Sequence, residues 1–118
     1  MASNELASCR HAWQRREEAR KKNLHMLKER AFAEAERLAG ALKNSYGCRN
    51  VYLIGSLARG EFEEDSDIDL VVEGLDPARF FHVCGEITAS SGFPVDLIPY
   101  EDAGELVKDR VRSEGKVL

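Results

Sequence analysis

An apolar run and a β-like run carrying two carboxylates, separated by a small-residue turn and an acidic loop, dominate the stretch from Val51 to Leu70 and restrict what the chain can fold into. Val51-Tyr52-Leu53-Ile54 leads into Gly55-Ser56-Leu57-Ala58-Arg59-Gly60, and Asp67-Ile68-Asp69-Leu70 returns after the loop. The first run has the β-forming residues of a strand covered on both faces, and the glycines of the turn let bare backbone approach a ligand closely. Strand side chains alternate faces, so Asp67 and Asp69 share one face while Ile68, Leu70 and Val72 point to the other, toward a core. Side-by-side carboxylates repel unless a cation or a shared proton intervenes. Hard oxygen ligands beside phosphate-binding backbone favour Mg²⁺. The stretch reads as a metal and nucleotide site.

Other phosphate and metal motifs fail on particular residues. Gly55 to Gly60 has the spacing of a Walker A loop, but Glu61 and Phe62 stand where that motif needs Lys and Ser or Thr. An EF-hand opening at Asp65 would put Leu70 at the turn glycine and Asp76 at the closing bidentate Glu. The glycines do not follow the G-x-G-x-x-G order of a dinucleotide fingerprint.

Gly55-Ser56, ten intervening residues and Asp67-Ile68-Asp69 resemble the G-S-x10-D-x-D signature of the DNA polymerase beta-type nucleotidyltransferase superfamily. Gly-Ser-Leu-Ala-Arg-Gly-Glu followed by Ser66-Asp67-Ile68-Asp69-Leu70 is similar to its small bacterial and archaeal members, the minimal nucleotidyltransferases. Asp96, in Phe93-Pro94-Val95-Asp96-Leu97-Ile98, matches the third carboxylate that the family carries on a later strand. The resemblance spans residues 46–100, and the C-terminal helix more loosely. It implies the nucleotidyltransferase fold and transfer of a nucleoside monophosphate, AMP from ATP being favoured, to an acceptor hydroxyl with release of pyrophosphate. It also implies that Asp67, Asp69 and Asp96 are the catalytic carboxylates and bind Mg²⁺, with two ions expected, and that Gly55, Ser56 and Arg59 bind the nucleotide.

The flanking sequence supplies the layers. With 118 residues, 43% of them hydrophobic, the chain suits one structural domain. Residues 4–45 read as helix with a break near Asn23, and Leu24, Leu27, Ala31, Ala35, Leu38 and Leu42 form one apolar stripe facing the sheet. Tyr46-Gly47 ends it. Residues 1–45 are thus expected as a helical arm packing on the domain, and residues 46–118 as the catalytic unit. The charged segment from Gln14 to Lys22 reads as a solvated helix face held by ion pairs at helical spacing, and Trp13 beside it is expected to pack back on the domain. Glu61, Glu63, Glu64 and Asp65 read as a solvated loop.

Asp76-Pro77 caps a helix running through Ser90, expected to bury Phe80, Phe81, Val83, Cys84 and Ile87 in part. Pro94 to Pro99 is the next strand, and burying an Asp in it would be costly without a metal or a partner such as Arg. A last helix covers 103–113, stopped by Gly115, with Lys116-Val117-Leu118 as a short strand or tail. The order α-β-β-α-β-α gives an α/β (α+β) layer structure, a small mixed sheet packed by helices with the three Asp residues at one sheet edge.

Seventeen basic against twenty-one acidic residues give a net charge of −4, which argues against nonspecific nucleic-acid binding. No segment has membrane-spanning length or a signal-peptide core, so no membrane association and a cytoplasmic location are expected. Cys9, Cys48 and Cys84 are odd in number and widely spaced, as suits reduced thiols; Cys9 with His11 lacks a second pair at zinc spacing, and His25 and His82 read as packing or surface residues.

After Asp96 one helix and a tail remain, too little for a domain enclosing an acceptor. The family resemblance therefore points to a shared acceptor site and a helical HEPN-type partner protein, in a toxin–antitoxin pair or a two-subunit transferase. Two alternatives stand beside this: a non-catalytic partner-binding (antitoxin) module, favoured by the charged arm with Trp13, and an aminoglycoside-like small-molecule nucleotidyltransferase, disfavoured by the missing extra domain.

Overall fold

The computed structural model describes residues 2–118, with side-chain surroundings from residue 7 onward. Helix α1 (Ala2–Tyr46) runs unbroken for 45 residues. The break expected near Asn23 is absent, because Asn is only a modestly poor helix former and neither Gly nor Pro stands beside it. The helix ends where expected: Gly47 takes φ +75°, and the Cys48 amide reaches back to the Leu42 carbonyl at 3.1 Å.

Four strands form one sheet in the order β3-β2-β1-β4, comprising β1 (Asn50–Ile54), β2 (Ile68–Glu73), β3 (Val95–Pro99) and β4 (Lys116–Val117). β1 lies antiparallel to β2 and β4, whereas β2 and β3 are parallel, so the sheet is mixed. The parallel step requires a crossover. A 3₁₀ turn (Pro77–Arg79), capped by the Asp76 carboxylate accepting from the Ala78 amide at 3.0 Å, begins it, and α3 (Phe80–Ser90) completes it. A single helical turn, α2 (Ser56–Arg59), follows β1 where the small residues predict a turn, and α4 (Glu105–Glu114) precedes β4.

The core forms where the C-terminal half of α1 meets the sheet. Ala31, Ala35, Leu38 and Leu42 are wholly buried against Val51, Leu53, Ile68, Leu70 and Val72. Alternation along β2 is thus as expected on the core face, and Val71 is buried on the other face too. Phe62 is an addition to the expected core: it is fully buried and meets Phe93 edge-on at 6.0 Å, pinning the acidic loop at one end.

Two expectations about aromatic residues are corrected. Phe81 is 87% exposed and Trp13 is 62% exposed. Phe81 lies on the outer side of α3, whose inner side is supplied by Val83 and Ile87. Trp13 sits on a part of α1 whose described neighbours, from Ala7 to Asn23, are nearly all exposed. No helix among the described residues is long and apolar enough to cross a membrane.

Candidate active site

The candidate site lies where β1, β2 and β3 come together. Asp69 is the second residue of β2 and stands in register between Ile54 of β1 and Asp96 of β3. Two carboxylates therefore lie on adjacent strands at one level of the sheet. Asp67 immediately precedes β2 and is exposed, as is Asp96, while Asp69 is half-buried. The burial penalty expected for Asp96 does not arise, since β3 is the edge strand and leaves it open to solvent.

Asp69 bears the electrostatic cost of this arrangement. Burial, then the charge of Asp96, then that of Asp67 push its carboxyl up to about 6 from 3.8, while Arg110 and Arg59 pull it only partly back. Uncompensated carboxylates of this kind are typical of functional sites.

Gly55 is shaped around Asp69. Its φ is +82°, and a Cβ at this position would come within 2.4 Å of Asp69 Oδ2. Only glycine leaves room for that carboxylate. The all-oxygen donor set and this cradle fit a hard divalent cation. Among the described residues no three His, Cys, Asp or Glu side chains already close around one point.

Ser56 opens α2 directly after Gly55, and its carbonyl accepts from the Glu61 amide at 2.8 Å. Arg59, at the end of the same turn, is tied at both sides: Nε donates to Glu61 Oε2 and Nη1 to Glu114 Oε2, each at 3.0 Å. Glu114 Oε2 also accepts from the Gly55 amide at 2.7 Å. Glu114, unremarked in the sequence, thus joins the neighbourhood of Gly55 and Arg59. An acidic residue before a helix-terminating glycine carries no signal of that, because its position depends on how β4 pairs with β1.

A cleft of about 1110 Å³ opens between α1, at Arg16, Arg20 and Arg30, and the acidic loop at Glu63, Glu64 and Asp65. None of the three candidate carboxylates lines it.

A mixed sheet packed by helices, with carboxylates on adjacent strands beside a Gly-Ser turn, makes this an α/β protein with a candidate site at one end of the sheet. The sequence profile of the family described as polymerase beta, nucleotidyltransferase matches residues 36–118. The chain belongs to this family. A relative named "Putative protein adenylyltransferase MJ0435", from Methanocaldococcus jannaschii, is 35% identical over 75 residues, which cover 58% of this chain and 77% of the relative. A solved structure described as a "putative minimal nucleotidyltransferase" is 28% identical, with a TM-score of 0.58, covering 80% of this chain and 95% of that one. The complex of a tri-AMPylated HEPN toxin with an MNT antitoxin from Shewanella oneidensis matches with a TM-score of 0.57 and 20% identity, over 74% of this chain and 70% of that one, a likeness of fold.

Proposed function

We propose that this chain is a Mg²⁺-dependent nucleotidyltransferase that moves AMP from ATP to a hydroxyl on a helical partner protein of the HEPN type, releasing pyrophosphate. The observation that carries the reading is the register pairing of Asp69 with Asp96, flanked by Asp67 and fitted under Gly55. The adenylyltransferase name of the archaeal relative and the AMPylated toxin of the Shewanella complex support AMP as the group transferred and a protein as the acceptor.

Asp67 and Asp69 would hold the metal, with two ions expected, and Asp96 would complete the set on the side of the acceptor. When bound, the divalent metal neutralises phosphate charge and makes the acceptor hydroxyl a better nucleophile. The acceptor oxygen forms a bond to the α-phosphorus, the bond from that phosphorus to the α,β-bridging oxygen breaks, and pyrophosphate departs with its electron pair. Asp96 is open to solvent and can take the acceptor proton. Gly55, through its amide, and Ser56, through its hydroxyl, orient the β- and γ-phosphates. Arg59 meets the charge that grows on the leaving group. The site is exposed at the sheet edge, so an acceptor carried by another protein can reach it. The cytoplasm is the compartment that suits ATP and reduced thiols.

A second reading, a module that silences its partner by contact alone, is favoured by the exposed Trp13 on the charged arm. One experiment separates the two. ATP labelled at the α-phosphate, with Mg²⁺, is offered to this protein mixed with its HEPN-type partner. Label should appear on the partner, vanish on chelation of the metal, and fall at least about a hundredfold with Asp67→Asn. A tight complex that takes no label from any of the four nucleotides would establish the contact reading instead.

A further inference from the structure

The C-terminal hairpin places a carboxylate on the donors assigned to the triphosphate. Gly115 permits a tight exit from α4, since a Cβ there would lie 2.4 Å from the Val111 carbonyl oxygen. β4 then pairs with β1 at Leu53↔Lys116 and Tyr52↔Val117. Continuing that antiparallel register by two residues sets Glu114 opposite Gly55. The observed contacts agree: one oxygen, Glu114 Oε2, accepts both from the Gly55 amide at 2.7 Å and from Arg59 Nη1 at 3.0 Å.

A carboxylate oxygen and a phosphate oxygen ask for the same partners: a backbone N–H and a guanidinium. The single Gly55 N–H cannot serve both with good geometry. We propose that Glu114 is a residue of the nucleotide site that competes with the triphosphate for Gly55 and Arg59, and so sets how tightly nucleotide is held. This rests on the assignment of Gly55 and Arg59 to the phosphates. The Glu114 side chain is 18% exposed and that of Arg59 is 40% exposed. Both are long, flexible side chains with room to part toward solvent. Glu61 Oε2 holds the Arg59 Nε, a separate nitrogen, so Arg59 stays anchored when Glu114 lets go. Anionic phosphate must also approach a charged Glu114, and removing that charge removes the repulsion as well as the competition.

The test is titration calorimetry of the full chain, with Mg²⁺ and an ATP analogue carrying a methylene bridge between the α- and β-phosphorus. Glu114→Gln should bind the analogue about three- to tenfold more tightly than the natural protein, the effect of no longer displacing one charge-assisted contact. Arg59→Ala should bind it more weakly. Circular dichroism checks that each variant is folded. Should Glu114→Gln fail to fold, Glu114→Asp, one methylene too short to hold both donors, must tighten binding instead. Unchanged or weaker binding in a folded Glu114 variant, with Arg59→Ala still weaker, overturns the inference and leaves the nucleotide assignment standing. A natural protein that binds no analogue overturns both.

Discussion

Asp69 is the residue at which stability and the proposed chemistry oppose each other. Its carboxyl, at about 6 in the folded chain against 3.8 when unperturbed, binds a proton more readily folded than unfolded. Stability therefore declines as pH rises from about 4 to about 6, and the deficit stays in full above that. Asp69→Asn should melt a few degrees higher at pH 7.5, worth about 1 kcal/mol once solvent screening of a half-buried group is allowed for. The two proteins should converge near pH 4. Thermal melts across this range check it, and a variant that melts lower at pH 7.5 would contradict the account. Mg²⁺ should raise the melting temperature of the natural protein and leave that of Asp69→Asn unmoved. That Asp67 and Asp69 lie near one another was legible from their spacing, and the charge of Asp67 does act on Asp69 although Asp67 stands just before the strand. That Asp96 would join them at one edge was expected, but its exact level with Asp69 was not, since the register of two parallel strands is set by the crossover between them. The place of Glu114 depends on a pairing 59 residues away from Gly55. Its chemistry is as ordinary in the sequence as that of any exposed acid.

At the scale of elements, α1 is fixed to the sheet by an apolar stripe and by a polar clamp that spacing could not show. Glu34 accepts from Ser91 Oγ at 3.1 Å and from the Gly92 amide at 3.0 Å, and Arg37 donates both to Glu34 and to the Ser90 carbonyl at 2.9 Å. The clamp joins the helix to the turn that leads from α3 into β3, and so to the strand carrying Asp96. Chiefly the Arg37 hydrogen bond, aided by Gly92 and Ser91 and opposed by burial, holds the Glu34 carboxyl at about 2 against 4.5. A depressed value of this kind contributes stability above about pH 4.5 that is lost as pH falls through about 2. Glu34→Gln should cost about 1 kcal/mol at pH 7, and the gap between the two proteins should close toward pH 2. Urea titrations at the two pH values measure it. The stripe itself was readable because the residues Ala31, Ala35, Leu38 and Leu42 recur at helical spacing. The same logic failed for Phe81 and Trp13. Hydrophobic character buries a side chain only where a second element exists to cover it, and periodicity within one element says nothing about that.

The whole molecule is far from round. Its radius of gyration is 19.0 Å and its extents are 71 × 29 × 18 Å. A compact chain of this length would have a radius of about 13–14 Å. The excess comes from the first half of α1. Charge follows the same division: residues 1–30 hold eight basic and four acidic side chains, and residues 31–118 hold nine basic and seventeen acidic. The exposed half of α1 adds little to the core. Removing residues 2–23 should therefore lower the melting temperature by less than about 3 °C. A calorimetric drop of ten degrees or more would show that the arm is structural. An unbroken helix also keeps its shape when gripped at the tip. With about 1.5 Å of rise per residue, Trp13 stands ~27 Å along the axis from Ala31, where the buried stripe begins. A partner holding Trp13 with ~2 Å of slack at that distance would leave the sheet edge only about 4° of angular play. A stiff outrigger of this kind converts a loose handhold into close aim.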